Sequence, residues 1–140
     1  MQLDELYRRV IMDHYKNPRN RGTFDQSAVT IDLNNPTCGD KISLQLQVED
    51  GRVKDAKFVG EGCSISLSSA SMMTEAVKGK TLEEAMGLAA NFSGLMKGEE
   101  VQFDYEDLEA LAGVNKFPAR IKCAMLAWNA LKKGIEQAKH

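Results

Sequence analysis

No stretch of this sequence approaches the ~20 consecutive apolar residues that a membrane-spanning helix needs, so a membrane is not an expected partner. An excess of positive charge is also missing: 18 Lys and Arg stand against 20 Asp and Glu, for a net charge of −2. A chain that neutralises many phosphates is usually strongly basic, which argues against nucleic acid as a partner. The first residues, Met1-Gln2-Leu3-Asp4-Glu5, have neither the basic nor the apolar region of a secretory signal, and none is expected. Cysteine is scarce. Cys38, Cys63 and Cys123 lie 25 and 60 residues apart. An odd count without an export signal implies free thiols and a cytoplasmic location, and excludes a disulfide scaffold. Internal repeats, low-complexity tracts and linkers are absent, so residues 1–140 are expected to form one domain. What is present is ordinary for a folded chain: 27% charged and 43% apolar residues. The latter amount to about 60 side chains, enough for a core that needs no covalent staple.

Local patterns predict strands first and helices afterwards. Residues 3–16 read as an amphipathic helix with Leu3, Leu6, Tyr7, Val10 and Ile11 on its apolar side, ended by Asn17-Pro18. Val29, Ile31 and Leu33 alternate with polar residues. Ile42, Leu44, Leu46 and Val48 do so with the cleanest period of two in the chain. Asp50-Gly51 supplies the preferred residues of a two-residue hairpin turn into a third strand, Arg52–Val59. The apolar phase of that strand slips between Val53 and Ala56, which allows a bulge. A helix is expected over 64–78, stopped at Gly79. Thr81 and Glu84 form a capping box for a helix of about 15 residues. Asp104–Leu111 reads as a short helix before Gly113, and Phe117-Pro118 opens the last helix, with Ile121, Met125, Trp128 and Ile135 as its apolar face. The expected fold is α+β: a small three-stranded antiparallel sheet with about five helices packed on one face.

Three segments carry the residues capable of chemistry. In Pro36-Thr37-Cys38-Gly39-Asp40, a thiol and a carboxyl two residues apart can point the same way in an extended segment. The competing reading is a buried cysteine beside a turn-forming aspartate. In Gly60-Glu61-Gly62-Cys63-Ser64-Ile65-Ser66, Cys63 falls where a strand gives way to a helix, a place that favours an anionic sulfur. The alternative is a small core residue at a helix start, with the serines nearby serving packing and an N-cap. In Arg120-Ile121-Lys122-Cys123-Ala124, Cys123 heads a stripe of small residues with Ala127, Ala130 and Gly134, which normally signals close packing. Arg120, one turn earlier, is placed to stabilise a thiolate or to pair with Asp40, or is simply a solvated surface arginine. Lys41 and Lys122 flank the segments and read best as surface lysines. Three Cys and one Asp are the kinds of ligand zinc accepts, but such a sulfur-rich set equally suits iron or an iron–sulfur cluster, so softness does not choose between them. His14 and His140 are not expected to be ligands.

The three cysteine segments, in this order, resemble the motifs of the IscU/NifU N-terminal family of iron–sulfur cluster assembly proteins. Asp13-His14-Tyr15-Lys16-Asn17-Pro18 is similar to that family as well. The resemblance covers essentially the whole chain. It looks most like the SufU branch: Lys122 occupies the position where the IscU branch has a histidine before the third cysteine, and the long Cys63–Cys123 interval leaves room for an extra helical insertion at about 81–113. The resemblance implies a zinc ion held by Cys38, Asp40, Cys63 and Cys123. It also implies a SufS-type cysteine desulfurase as partner, with further iron–sulfur assembly proteins downstream. The implied activity is that of a zinc-dependent sulfurtransferase, with Cys38 accepting the persulfide sulfur and Arg120 assisting ligand exchange. The alternative function is a scaffold on which a [2Fe–2S] cluster is built and passed on.

Overall fold

The structure, a computed structural model, describes residues 2–25, 29–36 and 39–139, with side chains from residue 5 onwards. Thr37 and Cys38 lie outside the described residues, as does His140. Helix α1 (Gln2–Lys16) leads into three antiparallel strands, β1 (Val29–Asn35), β2 (Asp40–Glu49) and β3 (Arg52–Glu61), in the order β1-β2-β3. Helix α2 (Ser64–Val77), helix α3 (Leu82–Met96), a 3-10 helix (Glu106–Lys116) and helix α4 (Pro118–Ala138) complete the chain. The α+β expectation holds: one sheet, with the helices gathered over one face. Among the described residues no helix is long and apolar enough to cross a membrane.

The sheet follows from its local chemistry. Asp50 and Gly51 adopt φ of 54° and 74°, the left-handed pair a two-residue hairpin requires. The bulge falls on β3, where Gln47 pairs with Asp55 but Val48 pairs with Val53, leaving Lys54 as the extra residue. Alternation on β2 buries Ile42, Leu44 and Leu46 and turns Ser43, Gln45 and Gln47 outward. The same phase continues one step back, so Asp40 is buried on the helix-covered face. Asn35, its cross-strand partner on β1, is also buried there.

Helix α2 is buried nearly all round, and its hydroxyls tie it to its neighbours. The Ser69 hydroxyl donates to the Ala124 carbonyl at 2.7 Å and accepts from Trp128 Nε1–H at 3.1 Å, joining α2 to α4. Trp128 stacks on Phe92 with centroids 4.6 Å apart, which brings in α3. Ser71 Oγ lies 2.7 Å from His14 Nδ1 and accepts the Arg19 N–H at 2.8 Å, while His14 Nε2 lies 2.8 Å from Asp107 Oδ2. With the imidazole proton on Nε2, each of these groups has a complementary partner. The chain from Asp107 through His14 to Ser71 thus bolts the 3-10 helix, α1 and α2 together. Burial and the adjacent Asp107 push the Tyr105 phenol, 3.2 Å from His14 Nε2, above its usual range.

Three expectations shift in detail. Leu6 lies on the predicted apolar side of α1 but is half exposed, at 52%. The short helix starts at Glu106 and runs through Gly113 to Lys116. On α4, Ile121 and Met125 are only partly covered, and the deep face is formed by Ala124, Ala127, Trp128, Leu131 and Ile135. The small-residue stripe explains this rotation. A Cβ on Gly134 would come within 2.8 Å of Leu46 Cδ1, so α4 lies directly on the sheet through its smallest residues.

Candidate metal centre

Three chain segments meet at one end of the sheet. Asp40 begins β2 on the buried face. Cys63 is the N-cap of α2, where β3 has just ended, with the extended backbone of a capping residue at φ −80° and ψ 172°. Cys123 lies in the second turn of α4, which Pro118 starts. One carboxylate oxygen of Asp40 and the sulfurs of Cys63 and Cys123 all lie within 4.8 Å of one another. Cys123 is buried and Cys63 is half-buried. Sequence separations of 23 and 60 residues are thereby closed by strand register and by the seating of α4 on the sheet.

The two oxygens of Asp40 are in different situations. Oδ1 accepts the Cys63 N–H at 3.1 Å and lies 3.2 Å from Ser66 Oγ. Oδ2 is buried and has no hydrogen-bond partner among the described residues. An unpartnered buried oxygen is costly, and a missing ion is one of the standard reasons for tolerating one. Gly62 makes room for the arrangement: a Cβ there would overlap both Asp40 Oδ1 and Ser66 Oγ. Ser66 Oγ is also 3.0 Å from the Cys63 carbonyl and 3.8 Å from its sulfur. The capping position belongs to Cys63 itself, with no side-chain cap, and not to one of the serines. Cys123 Sγ has Asn35 Nδ2 at 4.0 Å and the Ala119 carbonyl at 3.8 Å.

Arg120 is exposed, as a surface arginine would be, yet it is engaged with the site. The charge of Cys63, followed by a hydrogen bond with Cys123, raises its pKa above the usual arginine value. The field that acts on Arg120 thus comes from the two sulfurs, whereas Asp40 Oδ1 is held by Cys63 N–H and Ser66. Lys41 and Lys122 are exposed. Of the predicted site residues, Asp40, Cys63, Cys123 and Arg120 come together, and Cys38 falls outside the described residues. Sequence reasoning missed Gly62, Ser66 and Asn35 as site residues, since nothing local distinguishes a serine or asparagine that faces a distant carboxylate or thiol.

An S,S,O donor set with Asp40 and Cys123 buried, Cys63 half-buried and one unsatisfied carboxylate oxygen is suited to a divalent metal that accepts mixed thiolate and carboxylate ligands. The family model for the NifU-like N-terminal domain matches residues 6–140. The chain belongs to that family. Over 135 residues it is 59% identical to a Bacillus subtilis (strain 168) protein named zinc-dependent sulfurtransferase SufU, covering 95% of this chain and 91% of that one. It is 48% identical over 139 residues to a Streptococcus pyogenes serotype M1 protein named iron–sulfur cluster assembly scaffold protein IscU, covering 98% and 87%. Among solved structures, one from Fervidobacterium islandicum AW-1, described as an iron–sulfur cluster assembly scaffold protein for the SUF system, superposes with a TM-score of 0.81 at 32% identity. That match covers 90% of this chain and 93% of the other.

Proposed function

We propose that this NifU-like N-terminal domain is a zinc-dependent sulfurtransferase that takes persulfide sulfur from a SufS-type cysteine desulfurase for iron–sulfur cluster assembly. The observation that carries this reading is the convergence of a carboxylate oxygen of Asp40 with the sulfurs of Cys63 and Cys123, beside a buried Asp40 Oδ2 that has no hydrogen-bond partner among the described residues. The zinc-dependent sulfurtransferase at 59% identity supports it. Zinc would be held by Asp40, Cys63 and Cys123, with Cys38 as the fourth ligand two residues before Asp40. Once bound, the ion keeps cysteine sulfurs deprotonated near neutral pH.

The work of the chain's own residues follows from their placement. Cys38 falls in sequence between β1 and β2, two residues before Asp40, and is the sulfur acceptor. Its thiolate attacks the outer sulfur of the donor persulfide. A new S–S bond forms on Cys38, the donor's S–S bond breaks, and the donor leaves as a thiolate. No net electrons are exchanged between the partners. Arg120 beside the two other sulfurs compensates negative charge while ligands rearrange, and the buried Cys123 stays as an anchor. The 81–113 stretch, which contains α3 and the start of the 3-10 helix, is in this reading the insertion of the SufU branch. A reducing cytoplasm is the compartment that suits such free thiols.

The test pairs the purified protein with a SufS-type desulfurase and L-cysteine. The parent protein is expected to raise desulfurase turnover, and Cys38→Ala to abolish that stimulation. Normal stimulation by the variant would remove Cys38 from the acceptor role. The scaffold-named relative supports a second reading, a [2Fe–2S] scaffold on the same ligands. Anaerobic reconstitution separates the two: a cluster that forms with zinc retained and passes to an apo-acceptor favours the scaffold.

A further inference from the structure

Asp40 is an unusual ligand candidate because its two oxygens are treated so differently, and one residue outside the donor set is responsible. Ser66 lies one turn into α2 and is completely buried, at 0% exposure. Its Oγ is 3.2 Å from Asp40 Oδ1 and 3.0 Å from the Cys63 carbonyl, so its one hydroxyl proton faces two acceptors. Cys63 N–H supplies the other contact to Oδ1, at 3.1 Å. Oδ2 is left without a hydrogen-bond partner among the described residues. Turning the carboxylate part-way about its Cβ–Cγ bond would break both contacts at once.

We infer that Ser66 is a positioning residue of the metal centre, fixing Asp40 as a ligand that offers Oδ2 alone. This rests on the zinc reading above. The physical argument is the one that applies to outer-shell partners generally: a carboxylate held by hydrogen bonds on one oxygen loses less orientational freedom when the other binds a metal. The same bond draws charge from the carboxylate, which weakens it as a donor. Orientation outweighs this, because outer-shell substitutions typically cost metal affinity about 10–100-fold. Gly62 belongs to the same device, since a Cβ there would overlap both Asp40 Oδ1 and Ser66 Oγ.

The experiment compares the parent chain, Ser66→Ala, Ser66→Thr, Asp40→Ala and the Ser66→Ala/Asp40→Ala double variant. Zinc affinity is read by chelator competition, and the ligand field by the visible spectrum of the Co²⁺-substituted protein. Ser66→Ala is expected to bind zinc about 10–100-fold more weakly and to shift the Co²⁺ bands, and Ser66→Thr, which keeps the hydroxyl, to restore the spectrum. In the Asp40→Ala background, Ser66→Ala is expected to change neither readout, because its effect passes through Asp40. Parental affinity and spectrum in Ser66→Ala would overturn the inference while leaving the metal site intact. The same loss in both backgrounds would reduce Ser66 to a structural residue and overturn it too. If Asp40→Ala binds zinc like the parent, the metal reading itself fails, which is a separate outcome.

Discussion

Replacing Asp40 by Asn separates the cost of this site from its use. The side chain keeps its shape, and its Oδ1 still accepts from Cys63 N–H and Ser66. The buried Oδ2, which has no hydrogen-bond partner among the described residues, becomes an amide N–H₂ in a site shared with two sulfurs. An unsatisfied buried polar atom costs about 1–3 kcal/mol, so the metal-free Asn variant should be more stable than the parent by that order. In a chain of 140 residues, each ~1 kcal/mol moves the melting temperature by about 3–5 °C, giving an expected rise of about 3–15 °C. Zinc reverses the ranking. At a thousandfold excess over its dissociation constant, zinc stabilises the parent by ~4.1 kcal/mol, more than the advantage of the metal-free variant, and the variant, lacking the carboxylate oxygen, gains less. The assay is thermal unfolding followed by circular dichroism at pH 7, once with a chelator and once with zinc. The crossing of the two orders is the signature. An Asn variant that melts below the parent by the same margin in both conditions would refute the view that Oδ2 is kept for an ion.

Two further predictions concern the frame around the site. Trp128→Ala removes the stack on Phe92 and the hydrogen bond to Ser69, and should cost about 3–5 kcal/mol in urea unfolding followed by far-ultraviolet circular dichroism; a loss below about 1 kcal/mol would contradict its place at the junction of α2, α3 and α4. Backbone and side-chain hydrogen bonds with Thr81 lower the Glu84 pKa from its ordinary 4.5 in the folded chain. Its contribution is therefore complete above about pH 4.5 and is lost as the pH falls through the depressed value. The stability gap between the parent and Glu84→Ala should accordingly close in acid, and a gap that widens there would overturn the capping-box assignment.

Local chemistry made the sheet readable. Alternation in β2, the Asp50-Gly51 turn, the slip of phase at Val53–Ala56, the Thr81–Glu84 box and Pro118 at the start of α4 each express a rule that spans only a few residues. The 3-10 helix was placed less well, because Gly113 looks like a stop while Leu108, Leu111 and Val114 on either side of it are buried against neighbouring elements. The serines of α2 were legible only as small residues. Ser66, Ser69 and Ser71 have separate partners in β2, α4 and α1, and no spacing along one helix reveals which distant group a hydroxyl meets. The engagement of His14 with Ser71 and Asp107, 57 and 93 residues away, was hidden for the same reason. At the metal centre, the residue types suggested a sulfur-rich site, and the family resemblance united them. The register that buries Asp40 was implicit in the alternation of β2, one step beyond Ile42, but the unequal treatment of its two oxygens appears only in three dimensions.

The central claim is that Asp40 and the cysteines close around one zinc ion. X-ray absorption at the zinc edge of the purified protein tests it most directly. The account predicts a four-coordinate shell of sulfurs at about 2.3 Å and a single oxygen at about 2.0 Å, the oxygen being lost from the shell or replaced by water in Asp40→Ala. A shell with imidazole scattering, or one that Asp40→Ala leaves unchanged, would contradict it.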